Sequence, residues 1–431
     1  MTVFVRDERF YEKDRPPDQR KEGQRDRDRV LYTSALRRLA AITQVVSPTE
    51  GSVFHNRLTH TLEVAQIGRR LAEYLCKDED LVEALGGIDP ERVEAAALAH
   101  DLGHPPFGHI AEKELDGLIV SRGVEDGFES NAQAFRIATK LAVRKEEFPG
   151  LNLTRATLNA VLKYPWLREN SGPKHDKWGV YSTEDQEFSW VKEPYSLKND
   201  RSPEAELMDW ADDIAYAVHD MEDFYRAGLV PIDRLAKDME ELDAFLDHAV
   251  ARQRGKTRYT DSELREAGFN AIAGFPISEP YQGRRSQRSL LRTYTSTLIG
   301  KYLRAIGFVE NADGRLQARI SSDADKEVMM LKELTWRYVI QNPAPETQQY
   351  GQRRVIKDLF HIFADAAVSQ GSSKNLGIFP IDYQEQLTVA GEEHERLRLI
   401  SDFVASMTEQ QAFVMHRRLT GVAPGSVTDI L

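Results

Sequence analysis

Cysteine is almost absent from this sequence, Cys76 being the only one. One thiol cannot build an intrachain disulfide framework or a cage of thiolates, so any metal ion must be held by histidine and carboxylate, and a reducing cytoplasm is the expected compartment. Long apolar runs are lacking too, which excludes an ordinary membrane-spanning helix. The stretch from Met1 to Arg29 is charged and has no apolar secretory core. Positive charge is in deficit: 57 Lys and Arg stand against 69 Asp and Glu, a net charge of −12, which argues against generalised coating of nucleic acid. There is no internal repeat and no low-complexity tract.

What is present points to an all-α protein. With 41% hydrophobic residues, the 431-residue chain can bury a sizeable core. We expect a charged N-terminal arm over 1–29, exposed along its dense mixed-charge stretch from Asp14 to Arg29, a helical core over 30–230, and a helical region over 231–431 that packs on the core and takes part in oligomerisation. Within the core, 166–203 is an irregular insertion. Its Trp178, Tyr181 and Trp190 are aromatics in a polar loop, expected to pack over the site or against another subunit. Beyond Pro231, helices are predicted over 235–250, 290–306, 325–340, 355–368 and 392–419. A small hairpin is predicted over 308–320, with Asp313-Gly314 as its turn.

Three helices carry the chemistry. Around His60 the apolar residues Leu58, Leu62, Ile67, Leu71 and Leu75 recur at helical spacing. Asp89-Pro90 caps a second helix that runs through Val93, Ala96, Ala97 and Leu98 to His100-Asp101, where Gly103 and Pro105-Pro106 end it. The third, Glu206 to Tyr225, buries Leu207, Trp210, Ile214, Val218 and Met221 and sets Asp212, Tyr216 and Asp220 in a separate stripe four apart. His60, His100, Asp101 and Asp212 thus form a candidate ligand set, with Asp213 competing for the last place. Imidazole plus carboxylate suits zinc, iron, manganese, cobalt or nickel.

The run Ala99-His100-Asp101-Leu102-Gly103-His104-Pro105-Pro106-Phe107-Gly108-His109, followed by Glu112, resembles the HD superfamily of metal-dependent phosphohydrolases, specifically its deoxynucleoside triphosphate triphosphohydrolase branch. Asn56-Arg57-Leu58-Thr59-His60-Thr61 is similar to the family's first-histidine motif and Ala211-Asp212-Asp213-Ile214-Ala215-Tyr216 to its last-aspartate motif. The likeness extends from about Arg25 to Arg226. It implies an HD helical core and metal ligation by His60, His100, Asp101 and Asp212. Asp212 is preferred over Asp213 because it shares a stripe with Tyr216 and Asp220, and the two neighbours lie about 100 degrees apart around a helix. Asp213 is then expected to pair with a nearby base.

The same resemblance assigns His109 and Glu112 to water activation and proton handling. It places Arg57 and Lys163 on the substrate phosphates, with His104 there or in a turn-stabilising hydrogen bond, makes Asn131 and Tyr164 substrate contacts, and sets Tyr216 and Asp220 on the deoxyribose and Gln44 and Val45 against the sugar and base edge. One position departs from the family. In Gly127-Phe128-Glu129-Ser130-Asn131 a serine stands where many members have histidine, and serine cannot transfer protons as imidazole does. The implied reaction is attack of metal-activated water at the α-phosphate of a deoxynucleoside triphosphate (dNTP), yielding deoxynucleoside and inorganic triphosphate. The ion would be Mn2+ or Mg2+, with Fe, Co, Ni or Zn as alternatives, and further Mg2+ would accompany the triphosphate. The family also implies a homo-oligomer, often a hexamer, and activation by a regulatory dNTP. Arg284, Arg285, Arg288 and Arg292, and less so Arg353-Arg354, are candidates for that contact, against the plainer reading of a solvated helix face.

Overall fold

The computed structural model describes residues 3–11, 18–44, 56–195, 199–311, 316–341, 346–368 and 375–423, so Val45 and the turn Asp313-Gly314 lie outside the described residues. The fold is all-α with one two-stranded antiparallel hairpin, Ile306–Glu310 against Leu316–Ile320, in which Ile306 faces Ile320 and Glu310 faces Leu316. Among the described residues no helix is long and apolar enough to cross a membrane.

Three capped helices make the heart of the core. Asn56 caps Arg57–Leu75 by accepting the Thr59 N–H, Asp89 caps Pro90–Ala99 through Glu91 N–H with Pro90 in the first turn, and Ser202 caps Pro203–Ala215 through Ala205 N–H. They approach closely because their contact faces are small. A Cβ on Gly68 would stand 3.1 Å from Val93 Cγ1 and 3.5 Å from Ala211 Cβ, and Ala96, Ala97 and Ala211 are fully buried. This tight crossing brings the ends of the three helices to one place.

The third helix does not continue as a regular α-helix. Tyr216–Asp220 forms a π-turn before Met221–Arg226 resumes the α form, and a second π-turn, Trp336–Ile340, follows Ser322–Thr335. Such widened turns displace side chains from the regular stripe and often mark functional sites. A period of four read from sequence misses them. Leu62, placed on the buried face by periodicity, is instead 45% exposed.

The N-terminal arm is also corrected. Glu22–Leu31 is a helix packed on Pro90–Ala99, and Arg6, Arg9, Asp26 and Arg29 are buried. The charge density that read as solvent exposure is satisfied internally: Arg9 binds Asp26 and Glu22, Arg6 binds Glu204, and Asp26 accepts from the Thr154 N–H and hydroxyl.

Two large apolar clusters and one small one hold the described residues together. The largest joins the three core helices to residues from Val230 to Val339. The second covers the helix His109–Ser121 with Glu346–Val368 and Glu393–Ser406, using Leu115, Ile119, Phe360, Phe363 and Phe403. The insertion closes over the core rather than standing free. Trp178 and Tyr181 are buried against Ala132, and Arg168 stacks 4.4 Å from the Trp178 ring while binding Asp116 at 2.7 Å.

Candidate active site

A cavity of about 400 Å³ opens where the three helix ends meet. On its wall His60, His100 and Asp212 offer ligand atoms that all lie within 4.8 Å of one another. His60 Nε2 is 3.2 Å from Asp212 Oδ1, and His100 Nε2 is 3.5 Å from Asp101 Oδ1 and 3.8 Å from Asp212 Oδ1. Asp101 is less central than expected, because Arg57 Nη1 donates to its Oδ2 at 3.0 Å and His104 Nδ1 lies 2.9 Å from its Oδ1.

The residues fit a cation. His100 donates Nδ1–H to the Ala97 carbonyl at 2.6 Å, which leaves Nε2 with a bare lone pair, and that buried atom has no hydrogen-bond partner. A lone pair facing carboxylate oxygens is repelled unless a proton or metal ion lies between them, and an imidazole fixed through its other nitrogen is the usual form of a metal ligand. His60 reports the same demand for positive charge. Burial alone lowers its pKa, but the hydrogen bond to Asp212 and the fields of Asp220, Asp212 and Asp101 raise it to about 9.

The adjacent aspartates face different partners. Asp212 faces the histidines and accepts from Lys163 Nζ at 3.1 Å, whereas Asp213 turns to Lys332 Nζ at 2.5 Å. Lys163 also binds Asp209 at 2.7 Å, and these carboxylates hold its pKa well above normal against the opposing effect of burial.

A second cluster stands on the next helix. Pro105-Pro106 lead into Phe107 and Gly108, both with positive φ (68° and 58°), and this left-handed corner starts the helix at His109. A Cβ on Gly108 would lie 3.1 Å from Arg57 Nη2, so glycine lets the corner pass the guanidinium. Arg38 fixes the preceding turn by donating to the carbonyls of Leu102 and His104 at 3.0 and 2.7 Å. His109 Nδ1 is 2.6 Å from Glu112 Oε2, one turn along. Glu112 Oε1 accepts from Lys177 Nζ at 2.9 Å. Burial opposes ionisation of Glu112, yet His109 and Lys177 hold its pKa well below normal. His104 is driven the other way, to about 4, by burial and by Arg57, so it is a neutral imidazole hydrogen-bonded to Asp101.

Of the residues singled out from sequence, Gln44, Arg57, His60, His100, Asp101, His104, His109, Asn131, Lys163, Tyr164, Asp212 and Tyr216 line this one cavity. Glu112 stands directly behind His109. Asp220 is buried and is not part of the cavity wall. The arginines of the helix Arg285–Leu303, and Arg353-Arg354, lie outside it. Sequence reading missed Lys177, which the insertion delivers, and the wall made by Val339, Ile340, Gln348, Gln349 and Gln352. Lys177 precedes the buried Trp178, but no spacing rule ties it to Glu112, 65 residues earlier.

A helical bundle that brings two histidines and an aspartate to the wall of a cation-lined cavity is the arrangement of a helical site fit for a metal ion. Residues 57–217 match the HD domain, and residues 318–418 match the phosphohydrolase-associated domain. A deoxyguanosinetriphosphate triphosphohydrolase-like protein of Streptomyces coelicolor is 38% identical over 418 residues, covering 92% of each chain. Proteins of the same description from Corynebacterium efficiens and Bifidobacterium longum are 35% and 34% identical, over 94% and 91% of this chain and 93% and 82% of their own. The chain belongs to the HD-domain phosphohydrolases, in the family of deoxyguanosinetriphosphate triphosphohydrolase-like proteins.

Proposed function

We propose that this chain hydrolyses deoxynucleoside triphosphates, dGTP or several dNTPs, to deoxynucleoside and inorganic triphosphate. The observation that carries the reading is the meeting, in one cavity, of the His60, His100 and Asp212 cluster, the His109–Glu112 pair and the cations Arg57, Lys163 and Lys177. A divalent ion held by His60, His100, Asp101 and Asp212 would polarise the α-phosphate and lower the pKa of a water.

The remaining steps belong to the side chains. Water oxygen attacks the α-phosphorus, the bond from phosphorus to the 5′-oxygen breaks, and the 5′-oxygen leaves protonated. His109 has Nδ1 engaged by Glu112, so only Nε2 is free to exchange a proton, and the carboxylate fixes the ring and stabilises its charged form. Arg57, Lys163 and Lys177 meet the triphosphate charge, with neutral His104, Asn131 and Tyr164 as hydrogen-bonding groups. Tyr216, on the cavity wall, lies under the sugar, where it leaves no room for a 2′-hydroxyl, whereas Asp220, buried behind that wall, is not assigned the 3′-hydroxyl contact expected from the sequence. Gln44, on the cavity wall, faces the base edge. The finer assignments stand with this reading: Mn2+ or Mg2+ as the ion, a homo-oligomer with the hexamer first in line, a regulatory dNTP, and a cytoplasmic setting.

The test is product analysis. Purified protein with Mn2+ or Mg2+ should convert dNTPs to deoxynucleoside and triphosphate. Release of pyrophosphate or single phosphate in its place would reassign the chain to another HD phosphohydrolase activity.

A further inference from the structure

Glu129 was given no role by the sequence, yet both of its carboxylate oxygens are committed. Oε2 accepts from the Ala132 N–H at 3.2 Å and from the Asn131 N–H, capping the helix Ser130–Arg136. Oε1 accepts from Asn131 Nδ2 at 2.8 Å and from Lys177 Nζ at 2.8 Å. A helix cap needs only one oxygen. The other is turned to two side chains that line the cavity, one from the core and one from the insertion.

The backbone of Glu129 is held equally firmly. Its N–H donates to the Tyr181 hydroxyl at 3.1 Å, and that hydroxyl donates to the Glu129 carbonyl at 3.0 Å. Tyr181 is fully buried, with the Arg398 guanidinium 3.7 Å from its ring centre. Arg398 comes from the helix Glu393–Ser406, so the C-terminal region backs this clamp.

Electrostatics explain why the clamp bears on chemistry. Lys177 bridges two buried carboxylates, Glu112 and Glu129. Burial and the charge of Glu112 both raise the pKa of Glu129, and the Lys177 ammonium held between the two acids opposes that rise. The same ammonium keeps Glu112 a carboxylate that can hold His109.

We propose that Glu129 is a positioning residue of this site: by fixing Lys177 and Asn131 together it sets the geometry of the Glu112–His109 pair and of the wall that meets the phosphates. This rests on the triphosphohydrolase reading for its kinetic consequence and on the cavity alone for its binding consequence.

The experiment uses the full chain carrying Glu129→Asp, Glu129→Gln, Lys177→Met, and Glu129→Gln with Lys177→Met. Aspartate is a good helix cap but is too short to reach Lys177, while glutamine keeps the length and loses the charge. Both should leave the thermal midpoint within a few degrees. Each should lower kcat for dNTP hydrolysis by about tenfold or more, the size of a disturbed proton-transfer unit. The Glu129→Gln effect should shrink at least several-fold when Lys177 is already methionine, because contacting residues are not additive. Binding of inorganic tripolyphosphate, followed by calorimetry, should weaken in parallel. A Glu129→Asp enzyme with kcat within twofold of wild type, or full additivity with Lys177→Met, overturns the proposal and leaves Glu129 a helix cap. Should wild type release no triphosphate from any dNTP, the functional reading fails by itself. Unchanged tripolyphosphate binding in Glu129→Asp would then decide separately against Glu129.

Discussion

Two clusters of histidine and carboxylate share this cavity, and they differ in what they lack. In the first, His60, His100 and Asp212 are arranged around a bare imidazole nitrogen, with Asp101 alongside. In the second, His104, His109 and Glu112 also offer ligand atoms within 4.8 Å of one another. Yet Glu112 already has its cation in Lys177, and His109 is largely exposed to the cavity, its side chain 66% accessible. The first cluster keeps a buried imidazole nitrogen without a donor, which suits a metal ion, whereas the second leaves His109 Nε2 free to exchange a proton. Neither residue composition nor a lysine separates them, since Asp212 accepts from Lys163 as Glu112 does from Lys177; the unpartnered His100 nitrogen does.

The comparison breaks most sharply by substituting one histidine from each cluster. His100→Ala should lose metal by more than the about 100-fold that removal of a residue merely orienting a ligand costs, and activity with it. His109→Ala should keep its metal, measured by elemental analysis, while kcat falls by about 10²–10⁴-fold. Equal metal loss in both variants would make the second cluster a metal site too.

Lys177→Met sharpens the same contrast at intermediate size. The ammonium lowers the pKa of Glu112, so its loss should raise that pKa. With Glu129 unneutralised nearby, Glu112 then takes up a proton at higher pH. The acid limb of kcat should move upward, with activity recovering as pH rises. Measured between pH 5 and 9, an unmoved limb would mean that Lys177 acts only on the substrate phosphates.

These contrasts show what local sequence can carry. Asp89-Pro90 as a helix start is a property of a single helix, and the structure caps that helix there; His109 and Glu112 likewise share one turn. Glu129 and Lys177 meet across 48 residues that hold several short helices and the loops between them, so no single periodicity links the two. The arm was misread for a related reason. Its charges looked solvated because their partners, such as Thr154 for Asp26, lie far along the chain. The π-turn after Asp212 was invisible because a stripe of four assumes an unbroken α-helix.

Asp212 and Asp213 give the finest version of the comparison, since neighbours on one helix face different charges. Asp213 binds Lys332, whose ammonium also lies 5.7 Å from the Tyr216 ring centre. Burial raises the Asp213 pKa and Lys332 opposes this, so Asp213→Asn removes one half of a pair that does not reach the metal cluster. Metal content should be unchanged and kcat within about twofold, the range expected of a substitution outside the reacting groups. KM should carry what effect there is, because Lys332 without its carboxylate is free to shift over Tyr216 and the sugar wall. Loss of metal in Asp213→Asn, with Asp212→Asn retaining it, would exchange the roles of the two aspartates and turn the helix by one residue relative to the site.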